Sequence, residues 1–346
     1  MSRIISIARG CLERRGRHIL WLSVGALVAA MAIGAAAQDS ERGAVEHFTG
    51  TLIRQTATAC PLTSPADQGA LDRCRAALYG DSAFRKSLAP VVLWGRPSPE
   101  GRRLRDTNLT QFAPDVLSGL YMPMFMFTGE YEIGFDATER LYRARVPALF
   151  RNALDPGQYP YPFWHDAKKW ANYQAANELT IWIDPAKVKI VVIQFSAQGK
   201  SDPRLSSAPY TRPAFDGKWM WTDTKGQSQP RPTLFAGLMR SNNPYLGQLE
   251  DTFKDLAGEL RKGTCHECHA PDNYMGMKRL VLMQTPAHAA GEIKRIMRAV
   301  REDKMPLDDL GVYKEMDPAI KAALLKYGAA FESMVDAARD WEAKNP

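Results

Sequence analysis

The stretch Gly263-Thr264-Cys265-His266-Glu267-Cys268-His269, "GTCHECH", brings two thiols and two imidazoles together within five residues. The chain has 346 residues but only five cysteines and six histidines. Such a concentration of its rarest reactive groups indicates a cofactor or redox site. The residues around the motif and the rest of the sequence indicate which cofactor it holds and which fold surrounds it.

Three kinds of site use this cysteine spacing. A zinc site needs four ligands, usually including a second close pair. Elsewhere after residue 37 the sequence has three well-separated histidines, His47, His165 and His288. A thioredoxin-like dithiol follows a strand, whereas the residues before this motif have helical spacing. In C-x-x-C-H, both thiols bond to a haem and the next histidine binds its iron. The motif therefore favours one covalent haem c on Cys265 and Cys268, with His269 as proximal ligand.

Residues 1–37 have the three-part pattern of an export signal. Five arginines precede an apolar run from Ile19 to Ala37, and the small residues Ala35 and Ala37 stand before a polar break. We expect cleavage after Ala37, with an uncleaved membrane anchor as the alternative because the run approaches the length of a membrane span. Both alternatives place the remainder in the periplasm, where haem is attached to such motifs.

The charge of the chain is partly a property of this leader. Without residues 1–37, the charged residues fall from 45 basic and 38 acidic to 40 and 37, and the net charge falls from +7 to +3. No basic stripe stands out in the remainder. We therefore expect no nucleic-acid partner, and contact with a membrane only if the leader stays uncleaved.

The other cysteines have a separate role. Cys11 lies in the leader, whereas Cys60 and Cys74 flank the segment "CPLTSPADQGALDRC". In an oxidising compartment such a pair is typical of a disulfide, with two buried free thiols as the alternative. The sequence thus predicts a Cys60–Cys74 bond, and Cys265 and Cys268 stay available for the haem.

Helical patterns surround the motif. Apolar residues recur at helical spacing before it, at Leu246, Leu249, Phe253, Leu256, Ala257 and Leu260. Gly263 stands where this entry helix would end. Thr285-Pro286 and Asp317-Pro318 each predict an N-cap followed by a first-turn proline, and hence two further helices. The motif is therefore expected between an entry helix and two later helices.

On these residues, the stretch from about 242 to 346 resembles a class I c-type cytochrome domain. The resemblance rests on the entry helix, "CHECH", a later Met-Pro and a closing helix with aromatic residues, and it covers less than a third of the chain. It implies a small all-α domain that transfers electrons to or from a redox partner protein. In this family a methionine near the last helix is the second axial ligand, so "DKMPLDD" implies Met305 as the distal iron ligand.

The sequence departs from that family in one respect. His269 and Met305 are 36 residues apart, which is short for the family and indicates trimmed loops around the haem. Met275 and Met277 remain rival methionine ligands, with core packing as their alternative role. His288 would give a bis-histidine site, although a hydrogen-bonded position in the first turn of a helix is the favoured interpretation.

Residues 38–240 are predicted to form an α+β domain of no recognised family. The segments "ELTIWID" and "VKIVVIQFS" predict a hairpin over residues 178–196. A second hairpin is predicted over 218–227, and a helix bent near Pro147 over 139–154. The domain boundary is placed near Arg240, so that the haem domain takes residues 241–346.

His165 lies in "YPYPFWHDAKKW", among five aromatic residues. Such a histidine could be an acid-base group in a substrate pocket, but packing or capping is the commoner role. The sequence therefore favours an exported monohaem electron carrier over an enzyme. A haem-based sensor that binds a small ligand and a haem oxidoreductase with a pocket in the N-terminal domain are the alternatives.

Overall fold

The computed structural model describes residues 39–97, 103–107, 109–154, 158–160, 167–206, 235, 237–269, 286–308 and 310–345. Two compact units take Met1–Phe48 and Thr49–Pro346. The first unit is described from residue 39 onward, and residues 39–48 are helical. The predicted leader, residues 1–37, and the predicted hairpin at 218–227 lie outside the described residues. In the described part of the chain, no helix has the length and apolar character that a membrane crossing needs.

A mixed sheet forms the centre of the second unit. Its described strands are β1 Leu88–Gly95, β2 Thr110–Phe112, β3 Phe125–Phe127, β4 Glu132–Asp136, β5 Leu141–Phe150, β6 Glu178–Asp184 and β7 Lys189–Ser196. The strand order is β2-β1-β7-β6-β5-β3, with β4 also beside β5. Strands β1 and β7 run parallel, and the other described pairs are antiparallel. The β6–β7 pair confirms the predicted hairpin.

Helices precede, interrupt and follow the sheet. In the second unit they are α1 at residues 49–59, α2 Gln68–Leu78, α3 Ala83–Ser87, α4 Pro114–Val116, α5 Ala167–Gln174, α6 Leu246–Lys262, α7 Cys265–Cys268, α8 Pro286–Arg301 and α9 Pro318–Lys344. An N-terminal α+β region is thus followed by C-terminal helices, as the sequence predicted. The helices α6, α8 and α9 begin or end at the expected glycine and prolines.

The helix predicted over residues 139–154 is wrong, because Leu141–Phe150 forms strand β5. Tyr142, Ala144 and Val146 are buried, whereas Arg143 is exposed between them, which is the alternation of a strand. β5 has paired neighbours on both edges, β6 on one and β4 with β3 on the other. These hydrogen bonds, with the adjacent β4 and with the more distant β3 and β6, outweigh the local helical pattern.

The disulfide predicted between Cys60 and Cys74 is confirmed. Both residues are fully buried, and Cys74 lies on α2. The backbone N–H of Phe127, at the end of β3, donates to the carbonyl of Cys60 at 2.9 Å. The disulfide therefore fixes the helices α1 and α2 beside one end of the sheet.

A buried segment leads from the sheet towards the C-terminal helices. After α4, residues Leu117–Tyr121 form a single π turn and Met122–Met124 a 3₁₀ turn. Every residue from Val116 to Phe127 is buried. The Tyr121 ring lies against Trp94 of β1 and Phe112 of β2, with centroids 5.5 and 4.5 Å away. This segment places the Tyr121 hydroxyl beside helix α8.

Candidate functional site

Helix α6 leads directly into the cysteine motif. Its apolar face is buried, and Phe253 packs on Phe331 of α9 with ring centroids 5.4 Å apart. The helix ends at Gly263, whose N–H donates to the carbonyl of Glu259 at 2.9 Å. Thr264 follows with φ at +55°, in the left-handed region that turns the chain into a new helical segment. The helix–glycine boundary predicted from the sequence is confirmed.

The residues Cys265–Cys268 form one helical turn, α7. The His269 N–H donates to the carbonyl of Cys265 at 2.9 Å, so the histidine directly follows the turn. Both thiols are free and half-buried, and His269 is buried. Burial raises the pKa of the Cys265 thiol to about 11, so at neutral pH it stays protonated. The three predicted site residues thus lie on one helical turn and directly after it.

The predicted distal ligand, Met305, lies in the segment after α8. It is half-buried, next to the exposed Lys304. The Lys304 N–H donates to the carbonyl of Ala299 at 2.9 Å, and the Lys314 N–H donates to the carbonyl of Pro306 at 3.0 Å. Backbone hydrogen bonds therefore fix the chain on both sides of Met305.

Several residues considered from the sequence lie outside the described part of the chain. These are the rival ligands Met275 and Met277 and the aromatic-cluster residue His165. The side chain of His266, within the motif, is likewise not described.

His288, the other rival ligand, is tied to the sheet region. It lies in the first turn of α8 and is buried. Its Nε2 lies 3.0 Å from the Tyr121 hydroxyl, and its ring centroid is 6.0 Å from that of Phe112. This hydrogen bond engages Nε2, so His288 holds α8 against the sheet and we do not propose it as an iron ligand.

A buried carboxylate makes a second polar contact between α8 and the sheet region. The Glu292 carboxylate accepts hydrogen bonds from the Ala113 N–H and from Arg295. Arg295 also donates to Gln111, the central residue of β2, at 2.9 Å. Burial raises the pKa of Glu292 to about 7, although the Arg295 charge and the Ala113 N–H oppose the shift.

Sequence reasoning missed this Glu292 cluster. Its signal was a carboxylate on the apolar face of a predicted helix, beside Ile293 and Ile296. A charged residue in that position usually has a buried partner. The partners Gln111 and Ala113 are about 180 residues away, so no local pattern could identify them.

Two findings bear on the competing interpretations of the motif. The element before it is helix α6, whereas a thioredoxin-like dithiol follows a strand. Within the described ranges, no group of three or more His, Cys, Asp or Glu side chains is placed to hold a metal ion.

The chain matches no family model, no curated protein and no solved structure. Functional assignment therefore depends on the chemistry of α7 and its surroundings.

Proposed function

We propose that the chain is an exported, periplasmic cytochrome that carries electrons through one covalently bound haem c. The observation that carries this proposal is the arrangement of Cys265, Cys268 and His269. Two free thiols lie one helical turn apart, and a histidine follows them directly. Side chains at positions i and i+3 share one face of a helix, so both thiols can bond to one macrocycle. The donor set therefore fits a haem.

Each residue of the motif would have a separate role. Cys265 and Cys268 would fasten the haem through two thioether bonds, and His269 would supply the proximal imidazole. When bound, the haem would provide an iron that alternates between the ferrous and ferric states. The packing of α6 on α9 supports a rigid base for the motif, because a capped helix leads directly into the attachment turn.

Met305 is the proposed distal ligand. Its support is the Met-Pro sequence and the resemblance of residues 241–346 to a class I cytochrome, which we propose as the fold of this region. A thioether opposite an imidazole raises the reduction potential of a haem, which suits an electron carrier. The α+β region, residues 38–240, would then dock a redox partner or place the haem beside one, and residues 1–37 would direct export.

The proposal is tested by producing the chain in a host that exports proteins and attaches haem. After denaturation, the purified polypeptide should remain coloured and show a mass gain of one haem. The Cys265→Ser/Cys268→Ser variant should lose both signals. The matched Cys60→Ser/Cys74→Ser variant should keep them, because that pair lies outside the motif. A colourless wild-type protein of unchanged mass would contradict the proposal.

The sixth ligand is tested on the same material. The ferric wild-type protein should show the weak far-red absorption band of methionine ligation, and its reduced form should bind carbon monoxide poorly. Met305→Ala should abolish the band and allow rapid carbon monoxide binding. Met297→Leu, at a methionine buried on α8, is the control. Persistence of the band in Met305→Ala would assign the ligand to another methionine, and rapid binding by the wild type would favour a sensor.

A further inference from the structure

Exposed apolar side chains occur together in the chain a few residues after the proposed distal ligand, Met305. Leu310, Val312 and Tyr313 expose 88%, 60% and 36% of their surface. Among the described residues, the other large apolar side chain with comparable exposure is Phe135 on β4, at 47%. Single exposed apolar residues are ordinary, but three within four positions indicate a contact surface.

These side chains stand on a turn that is described over residues 306–308 and 310–314 and is called here the 306–314 hairpin. An isolated β-bridge joins Leu307 to Tyr313, and the Lys314 N–H donates to the carbonyl of Pro306 at 3.0 Å. The Asp308 carboxylate accepts the N–H groups of Leu310 and Val312 at 2.9 and 2.8 Å. The tip is therefore ordered before any partner arrives, which lowers the entropic cost of binding.

Carboxylates flank the apolar tip in sequence. Asp308, Glu315 and Asp317 are exposed, and none of them forms an ion pair with another described residue. Residues 306–317 carry four acidic side chains and one basic side chain, Lys314, whereas the chain after residue 37 has a net charge of +3. The negative charge is thus local to the hairpin and its base.

We propose that the 306–314 hairpin is the docking surface for a protein electron carrier whose apolar contact patch is ringed by lysines or arginines. An apolar centre with a charged rim is the usual anatomy of such an interface, and opposite charge speeds the encounter. The inference rests on the proposed function, because the hairpin begins at Pro306, directly after Met305, and Met305 matters here only as the proposed iron ligand. One electron passes from the reduced protein to the oxidised carrier, without bond formation or proton transfer.

Two small oxidants of opposite charge test the surface. Tris(phenanthroline)cobalt(III) is a cation with an apolar periphery, and hexacyanoferrate(III) is an anion without one. In stopped-flow oxidation of the reduced protein, Leu310→Ser/Val312→Ser should slow the cobalt complex about tenfold. It should leave the hexacyanoferrate rate unchanged, and so should the control Phe135→Ser for both oxidants. An unchanged cobalt rate in the double variant would overturn the proposal.

The charged rim is tested with isosteric substitutions. Asp308→Asn and Asp317→Asn keep side-chain oxygens that can accept the backbone hydrogen bonds, and Glu315→Gln keeps the shape of an exposed side chain. The triple variant should slow the cobalt complex, speed up hexacyanoferrate and weaken the dependence of both rates on ionic strength. Rates and salt dependence equal to those of the wild type would contradict the charged rim.

A binding measurement separates this inference from the haem proposal. Methyl resonances of Leu310 and Val312 should shift when tris(phenanthroline)ruthenium(II), a cation of similar shape, is added. If protein from a haem-loading host carries no haem but shows these shifts, the hairpin is a contact surface for cationic apolar partners, and the proposed function and the electron-transfer role of the surface are both refuted. Haem-loaded protein without these shifts would refute the surface alone. A concentration-dependent dimer that Leu310→Ser/Val312→Ser abolishes would assign the hairpin to a second copy, and cosedimentation with phosphatidylcholine vesicles would assign it to a membrane.

Discussion

The two cysteine pairs of this protein illustrate how backbone geometry decides the chemistry of a residue. Cys60 and Cys74 are fully buried, lie on different segments and are joined in a disulfide 14 residues apart in sequence. Cys265 and Cys268 occupy one helical turn, are half-buried and remain free thiols. The first pair crosslinks two segments, whereas the second presents two sulfur atoms on one helix face, where a bound group can reach both.

The regions that carry these pairs are held in different ways. The sheet region contains a covalent link and a continuous ladder of paired strands. The C-terminal helices pack on one another, and α8 contacts the sheet region through His288, Glu292 and Gly291. Removing the disulfide, the buried charge of Glu292 or the close contact at Gly291 should therefore change the stability of the protein by different amounts, from the largest to the smallest in that order.

The disulfide should have the largest effect on stability. Cys60→Ala/Cys74→Ala should lower the free energy of unfolding by about 3 kcal/mol, because a loop of about 15 residues is no longer closed in the unfolded chain. Urea denaturation followed by circular dichroism measures this change. A reducing agent should destabilise the wild type but not the variant. Equal urea midpoints for oxidised wild type and variant would show that the crosslink contributes nothing to folding.

The buried Glu292 should make stability depend on pH. Its pKa in the folded protein is raised to about 7, so the folded state retains a proton that the unfolded state releases above about pH 4.5. The stabilisation is therefore fully present below the unfolded pKa and is lost as the pH rises through 7. We expect wild type to lose about 2.5 kcal/mol between pH 5 and pH 8 relative to Glu292→Gln.

The control for this measurement is Glu302→Gln, at an exposed carboxylate whose pKa is lowered by a hydrogen bond from Lys304. A lowered pKa stabilises the folded state at higher pH, the opposite direction from Glu292. Glu302→Gln keeps Glu292, so this variant should still lose stability between pH 5 and pH 8, as the wild type does. Urea denaturation at both pH values gives the comparison. Parallel pH profiles for wild type and Glu292→Gln would show that the α8–sheet contact does not depend on this carboxyl.

The smallest effect should come from the glycine where α8 meets α4. A Cβ at Gly291 would clash with Val116, which is buried. Gly291→Ala should therefore lower the free energy of unfolding by about 1 kcal/mol, because the cost of overpacking against Val116 exceeds the gain in helix propensity from replacing glycine by alanine. In Gly258→Ala on α6 the added Cβ meets no atom within 4 Å, so the protein should gain up to about 1 kcal/mol. Thermal midpoints that rise in both variants would contradict the close α8–α4 contact.

Local signals in the sequence predicted much of this molecule. The disulfide was predicted from cysteine spacing and an expected oxidising compartment, and the end of α6 from Gly263. The start of α9 followed from Asp317-Pro318, and Asp317 indeed accepts the N–H groups of Ala319 and Ile320. Each of these features depends on residues close together in the chain, which is why sequence patterns reveal them.

Features that join distant segments could not be predicted in the same way. Strand β5 was predicted as a helix; β4, one of its pairing partners, is adjacent in sequence, but β3 and β6, which pair with the rest of the strand, lie farther away. The contacts of α8 with Tyr121 and Ala113 span 167 and 179 positions. The proposed site residues Cys265, Cys268 and His269 could be predicted because covalent haem attachment would require that spacing, whereas the residues that position α8 have no such spacing.

The π turn at Leu117–Tyr121 has an evolutionary consequence. A π turn holds one residue more than an α-helical turn, and one residue corresponds to about 100° of rotation around a helix axis. Losing a single residue there would swing the Tyr121 hydroxyl away from His288, 167 positions downstream. A lineage that shortens that turn would therefore lose the His288 contact with Tyr121, and with it one link between α8 and the sheet region.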